Sequence, residues 1–150
     1  MQNTNPAKTT EASVLNSIYR GARIGRESIE NLLPKTEHPG FRDDLRTQEG
    51  EYDAICKEAA NKLMEIGNTP DPIGTYKKAA MKVATEMSTL TNTDTSHLAE
   101  LMIRGSTMGI TNMTKILNGY QNPDSQVYDL AQKLITMEQN NIERLKVYLQ

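Results

Sequence analysis

The sequence predicts an all-α protein, on three observations. Apolar residues recur at steps of three and four in five separate stretches, the spacing that places side chains on one side of a helix. Proline, glycine and short polar clusters punctuate those stretches. No segment alternates apolar and polar residues with β-branched enrichment, so strand signals are missing. With 150 residues the chain suits one domain with a respectable core. That core is aliphatic and soft, since the chain holds eight Met, one Phe and no Trp.

Residues 1–10 read as a disordered polar tail and residues 11–150 as a single helical domain. Helix one is expected from Glu11 to Leu33, ended by Pro34. Its stripe is Leu15, Ile18, Ala22, Gly25, Ile29 and Leu32, small in the middle, where a neighbour can approach closely. The short linker from Lys35 to Gly40 returns helix two antiparallel. Helix two is expected from Phe41 to Ile66, ending at Gly67, with the stripe Phe41, Leu45, Tyr52, Cys56, Ala59, Leu63 and Ile66. Between Leu45 and Tyr52 the periodicity asks for an apolar residue near 48 or 49, and the sequence supplies Gln48 and Glu49.

The segment from Asn68 to Pro72 breaks the chain. Helix three, Ile73 to Leu90, has a narrow apolar face of Ile73, Tyr76, Ala80, Val83, Met87 and Leu90. The turn Thr91–Thr95 follows, with Asp94 or Thr95 as N-cap of helix four. Helix four, Ser96 to Asn118, carries one stripe of Leu98, Leu101, Gly105, Met108, Asn112 and Ile116. A second stripe, Ile103, Ile110 and Leu117, lies well off it, with Ala99, Met102 and Met113 between. A helix apolar on most of its circumference is buried on two sides. The second stripe is therefore assigned to helix three or to a partner subunit, which makes a homodimer through helix four the expected assembly.

The last helix, Asp124 to Leu149, has the stripe Val127, Leu130, Ala131, Leu134, Met137, Leu145, Tyr148 and Leu149. At 100° per residue Glu138 and Asn141 fall inside it. A carboxylate and an amide on a core-facing surface must find partners, because burying them unpaired is costly. If helix three is a lengthwise crossover between two hairpins, counting along each helix puts Glu49, Gly105, Glu138 and the Ala22/Gly25 pair all about 18 Å from one end. Gln48, Glu49, Tyr52, Glu138 and Asn141 then form one buried polar layer opposite small residues.

Two antiparallel hairpins joined by a long crossover resemble the ferritin-like fold. The resemblance implies four long antiparallel helices with a shorter crossover helix. Its di-metal members supply one Glu from each of two helices and Glu-x-x-His from each of the other two. Here the matching motifs read Glu138-x-x-Asn141 and Glu49-x-x-Tyr52, and helices one and four offer Ala22/Gly25 and Gly105. The chain, including Tyr19-Arg20-Gly21-Ala22, His97-Leu98-Ala99-Glu100 and Met137 to Leu145, is also similar to small bacterial ferritin-like proteins with no activity attached to them. That resemblance implies a fold, a degenerate metal site and no cofactor. The alternative it leaves is an iron- or manganese-binding protein or oxidoreductase with Glu49 and Glu138 as the ligands.

Other features carry no chemistry. His97-x-x-Glu100 has ligand spacing but sits on the polar side of helix four as a surface pair. His38 lies in a Pro/Gly turn. Cys56 is a lone cysteine at a stripe position, read as a small buried residue in a reducing cytoplasm. Charges are well mixed, 17 basic against 19 acidic, so there is no basic patch for nucleic acid. No apolar run is long enough to span a membrane. The reading is a non-catalytic, self-associating helical bundle.

Overall fold

The computed structural model describes residues 10–71, 77–123 and 125–150, and the side chains of all of these except 77–80. Among them are five α-helices and no strand: α1 (Glu11–Leu32), α2 (Pro39–Glu65), α3 (Lys77–Ser88), α4 (Thr95–Asn118) and α5 (Gln126–Leu145). The expected disordered tail lies outside the described residues apart from Thr10. So do the expected first turn of helix three, Ile73 to Tyr76, and Asp124 at the head of the last helix.

Local chemistry sets each boundary. Thr10 opens α1 with a capping box: its Oγ1 accepts from the Ser13 backbone N–H at 3.1 Å, and Ser13 Oγ accepts from the Thr10 N–H at 3.0 Å. Pro34 stops α1 within a 3-10 turn, Leu33–Lys35. Helix α2 starts two residues earlier than the periodicity places it. Pro39 is pre-set for the first helical turn, and His38 caps it by accepting from the Phe41 N–H at 3.1 Å. At its other end Gly67 adopts φ +78°. The Asn68 N–H then reaches Leu63 O at 2.8 Å and the Gly67 N–H reaches Met64 O at 3.0 Å, a Schellman ending. Asp94 is the N-cap residue of α4 but its side chain makes no capping bond. Ser125 caps α5 by accepting from the Tyr128 N–H at 3.1 Å. That helix ends at Leu145 rather than Leu149, and a 3-10 turn, Lys146–Tyr148, carries the chain on.

Helices α1 and α2 pair along their length, as do α4 and α5, and the two hairpins close on each other through α1 with α4 and α5, and α2 with α5. Arg26 paired with Asp53, and Cys56 beside Tyr19, show that α1 and α2 run antiparallel. Lys62 with Gln126, Tyr52 with Glu138, and Arg144 with Glu51 show the same for α2 and α5. Helix α3 packs on the outside of α1. The chain leading to it is held at Asp71 by Arg20 and Asn16, and its far end meets the 3-10 turn after α1, where Lys35 donates to Met87 O. Asn16 and Lys35 are about 28 Å apart by helix rise, so Asp71 and Met87 stand near opposite ends of α1. The core is one continuous cluster drawn from all five helices, with α3 contributing Met87.

The stripes of helix four are corrected. Its buried residues are Leu98, Ala99, Met102, Ser106, Met113 and Leu117. Gly105, Met108 and Asn112, assigned to the core by periodicity, are exposed, Met108 by 58%. Of the stripe assigned to helix three or a partner subunit, Leu117 is buried and Ile103 and Ile110 are half-buried against the chain's own core. The physical reason is that α4 lies between α5 and α1, and these two neighbours take up the arc between the stripes. No helix among the described residues is long and apolar enough to cross a membrane.

Candidate functional site: a buried acid-phenol layer

Gln48 and Tyr52 stand one turn apart on the buried side of α2, and Glu138 and Asn141 one turn apart on the buried side of α5. All four are at most 4% exposed. The antiparallel pairing sets Tyr52 opposite Glu138, and the phenol O–H donates to Glu138 Oε1 at 3.1 Å. The same register sets Gln48 opposite Asn141 in the next turn. Glu49 is half-buried, 100° round the helix from Gln48, so the contact to Glu138 comes from Tyr52 and not from a second carboxylate.

Two glycines make the room. A Cβ on Gly25 of α1 would lie 2.5 Å from Tyr52 Cζ and 2.6 Å from Cε1, so the ring rests on bare backbone. A Cβ on Gly109 of α4 would lie 2.5 Å from Glu138 Oε2 and 2.6 Å from Oε1. Gly105, expected in this role, has open space at its Cβ and faces out. The sequence reading also missed Ser106, buried one turn from Gly109, whose hydroxyl lies close enough to the phenol to favour its ionisation. A lone Ser within the apolar arc of helix four was the available signal.

Burial dominates the electrostatics. Glu138 is pushed up from its ordinary 4.5 to about 8, because desolvation outweighs the Tyr52 hydrogen bond that favours its anion. Tyr52 is held far above the usual phenol range, first by burial and then by the Glu138 carboxyl beside it. At neutral pH the pair is therefore a carboxylic acid and a phenol, both uncharged. With Oε1 accepting from Tyr52, the acid proton falls on Oε2. Arg144 meets the layer from outside, bonding Glu51 at 3.2 Å and reaching Asn141 Oδ1 at 3.4 Å.

The layer is short of partners. Both amide atoms of Gln48, the Ser106 hydroxyl, Glu138 Oε2 and Asn141 Nδ2 are buried without a hydrogen bond of good geometry. Among the described residues no group of three or more His, Cys, Asp or Glu is placed to hold a metal ion.

The remaining candidates stand elsewhere. His97 and Glu100 line an open polar cleft with His38, Asp94 and Tyr148 at the end where α1 and α2 join. Glu100 is paired with Arg104 at 3.1 Å. His38 is spent on the helix cap and meets Tyr148 edge-on. Cys56 is 4% exposed, its thiol reaches Tyr19 O at 3.8 Å, and burial raises its pKa, so it is not a poised nucleophile. Compared with protein families, curated proteins and solved structures, the chain matches no family model, no curated protein and no solved structure.

Proposed function

We propose that this chain is a ferritin-like helical bundle without catalytic activity, in which an uncharged acid-phenol layer stands where di-metal relatives hold their ions. The observation that carries the reading is the Tyr52–Glu138 bond at 3.1 Å inside a fully enclosed layer, with Glu138 pushed up to about 8. A bound di-metal centre needs several ionised carboxylates and imidazoles. This layer offers one carboxyl, a phenol, two amides and a hydroxyl, and Tyr52 and Asn141 occupy the places of the histidines. The donor set does not fit the group.

The layer instead acts as a register lock. A buried polar pair tolerates only the packing in which both members stay bonded, because a slipped helix leaves a desolvated carboxyl alone. Tyr52 on Gly25 and Glu138 on Gly109 tie all four long helices to one height. The burial of both groups, Tyr52 2% and Glu138 4% exposed, supports a structural role for the pair. A reducing compartment such as the cytoplasm suits a chain whose lone thiol is unpaired.

Elemental analysis of protein purified without chelator tests the proposal. The expected result is metal far below one ion per chain. Iron, manganese or zinc near one or two per chain, retained through gel filtration, overturns it in favour of a carboxylate metal site built on Glu49 and Glu138.

A further inference from the structure

The acid-phenol pair accounts for only half of the layer, and the other half carries the inference. The antiparallel pairing of α2 with α5 puts Gln48 opposite Asn141. The pairing of α4 with α5, with Gly109 against Glu138, puts Ser106 near the height of Asn141. Gln48 and Asn141 thus share a height one turn from the Tyr52–Glu138 bond, and Ser106 enters the same layer from α4 with its hydroxyl toward the phenol. Gln48 and Asn141 are 0% exposed and Ser106 is 2% exposed. Gln48 keeps two unpaired polar atoms and Ser106 and Asn141 one each, and Glu138 Oε2 adds a fifth from the adjoining turn. Leaving a buried donor or acceptor unmet costs about 1–3 kcal/mol each, so a cluster of them in one place calls for a shared partner.

We propose that the Gln48–Ser106–Asn141 cluster is a binding site for internal water, which bridges these three side chains to the free oxygen of Glu138. The inference rests on the reading of Glu138 as an uncharged acid. The chemistry selects the guest. Asn141 has its oxygen turned to Arg144 and presents its NH2, Glu138 presents an O–H, and Gln48 presents both an NH2 and a carbonyl. The cluster therefore needs a small partner that accepts from several donors and gives a proton back to the Gln48 carbonyl and Ser106. Water does both, and a buried water typically makes about three hydrogen bonds, so about two molecules satisfy the site. A cation has no use for this many N–H and O–H donors, and Arg144 next to Asn141 repels it. An anion would need a charge partner within the layer, where Glu138 is acidic and not basic.

A crystal structure at high resolution, with anomalous data collected on protein purified without chelator, tests the site without any variant that could fail to fold. The expected result is one or more density peaks about 2.7–3.2 Å from Gln48, Asn141 and Ser106 or Glu138, without anomalous signal. Solution NMR on the same protein then shows water cross-peaks to both side-chain NH2 groups, with the sign of a long-lived internal molecule. Direct bonding of Gln48 to Asn141 with no peak between them overturns the inference and leaves the uncharged acid-phenol pair standing. An anomalously scattering ion in the cluster overturns both.

Discussion

Replacing Glu138 by Gln removes a titrating group while keeping size, shape and the oxygen that accepts from Tyr52. In the unfolded chain the carboxyl loses its proton near its ordinary 4.5, and in the folded protein it keeps it to about 8. Between those values the folded state binds one more proton than the unfolded state, so stability falls as pH rises. The contribution is complete below 4.5, shrinks through the window and is gone once the folded carboxyl ionises. Each pH unit in the window is worth about 1.4 kcal/mol. The full displacement is on the order of 5 kcal/mol, and at pH 7 about 3 kcal/mol of it has been lost. Glu138→Gln pays none of this, so it is expected to be the more stable protein at neutral pH and nearly equal to the parent at pH 4.5. The assay is urea unfolding of both proteins at half-unit steps from pH 4 to 9. Titrations common to both cancel in the difference, which is expected to grow by about 1.4 kcal/mol per unit between about 4.5 and 8 and to level off outside it. A difference that does not change with pH, or one that favours the parent increasingly as pH rises, refutes the reasoning.

Tyr52→Phe removes the donor to Glu138 Oε1 and leaves a second buried oxygen unmet. Urea unfolding is expected to show a loss of about 1–3 kcal/mol. Because the Tyr52 bond holds Glu138 down, the same variant moves the Glu138 midpoint further up. Gly25→Ala drives a methyl into the Tyr52 ring, an overpacking cost of about 1–3 kcal/mol that the helix-propensity gain of about 1 kcal/mol offsets only in part. Gly50→Ala, exposed in α2 with nothing within 4 Å of its Cβ, is expected to go the other way and gain up to about 1 kcal/mol; calorimetry of both reads the opposite signs. Cys56 is expected to react with a disulfide reagent only as fast as the bundle opens, the rate rising with denaturant; rapid labelling of the native protein contradicts its burial.

Most of the fold was legible because long amphipathic helices with proline and glycine punctuation leave few alternatives. The polar layer was legible for the same reason: Glu138 and Asn141 interrupt a clean stripe, and the gap between Leu45 and Tyr52 admits only 48 or 49. Packing resolved that choice to Gln48, since it shares the face of Tyr52 four residues on and Glu49 does not. Helix four resisted reading because its apolar residues cover most of its circumference. Periodicity there defines two edges of one wide arc, and only the positions of α1 and α5 show that the middle of the arc is the core. The same ambiguity hid Ser106 and put Gly105 in the place of Gly109, one turn away. Capping by His38 and the shift of α5 into a 3-10 turn after Leu145 depend on local backbone geometry that residue spacing does not encode.

The role of the buried layer turns on the charge state of the Glu138 side chain. Carbon-13 NMR of the Glu138 carboxyl, assigned by comparison with Glu138→Gln and titrated from pH 4 to 9, reads that state directly. The expected spectrum shows the acid form at pH 6.5 and a midpoint near 8. A carboxylate signal at pH 6.5, with a midpoint in the ordinary range near 4.5, contradicts it.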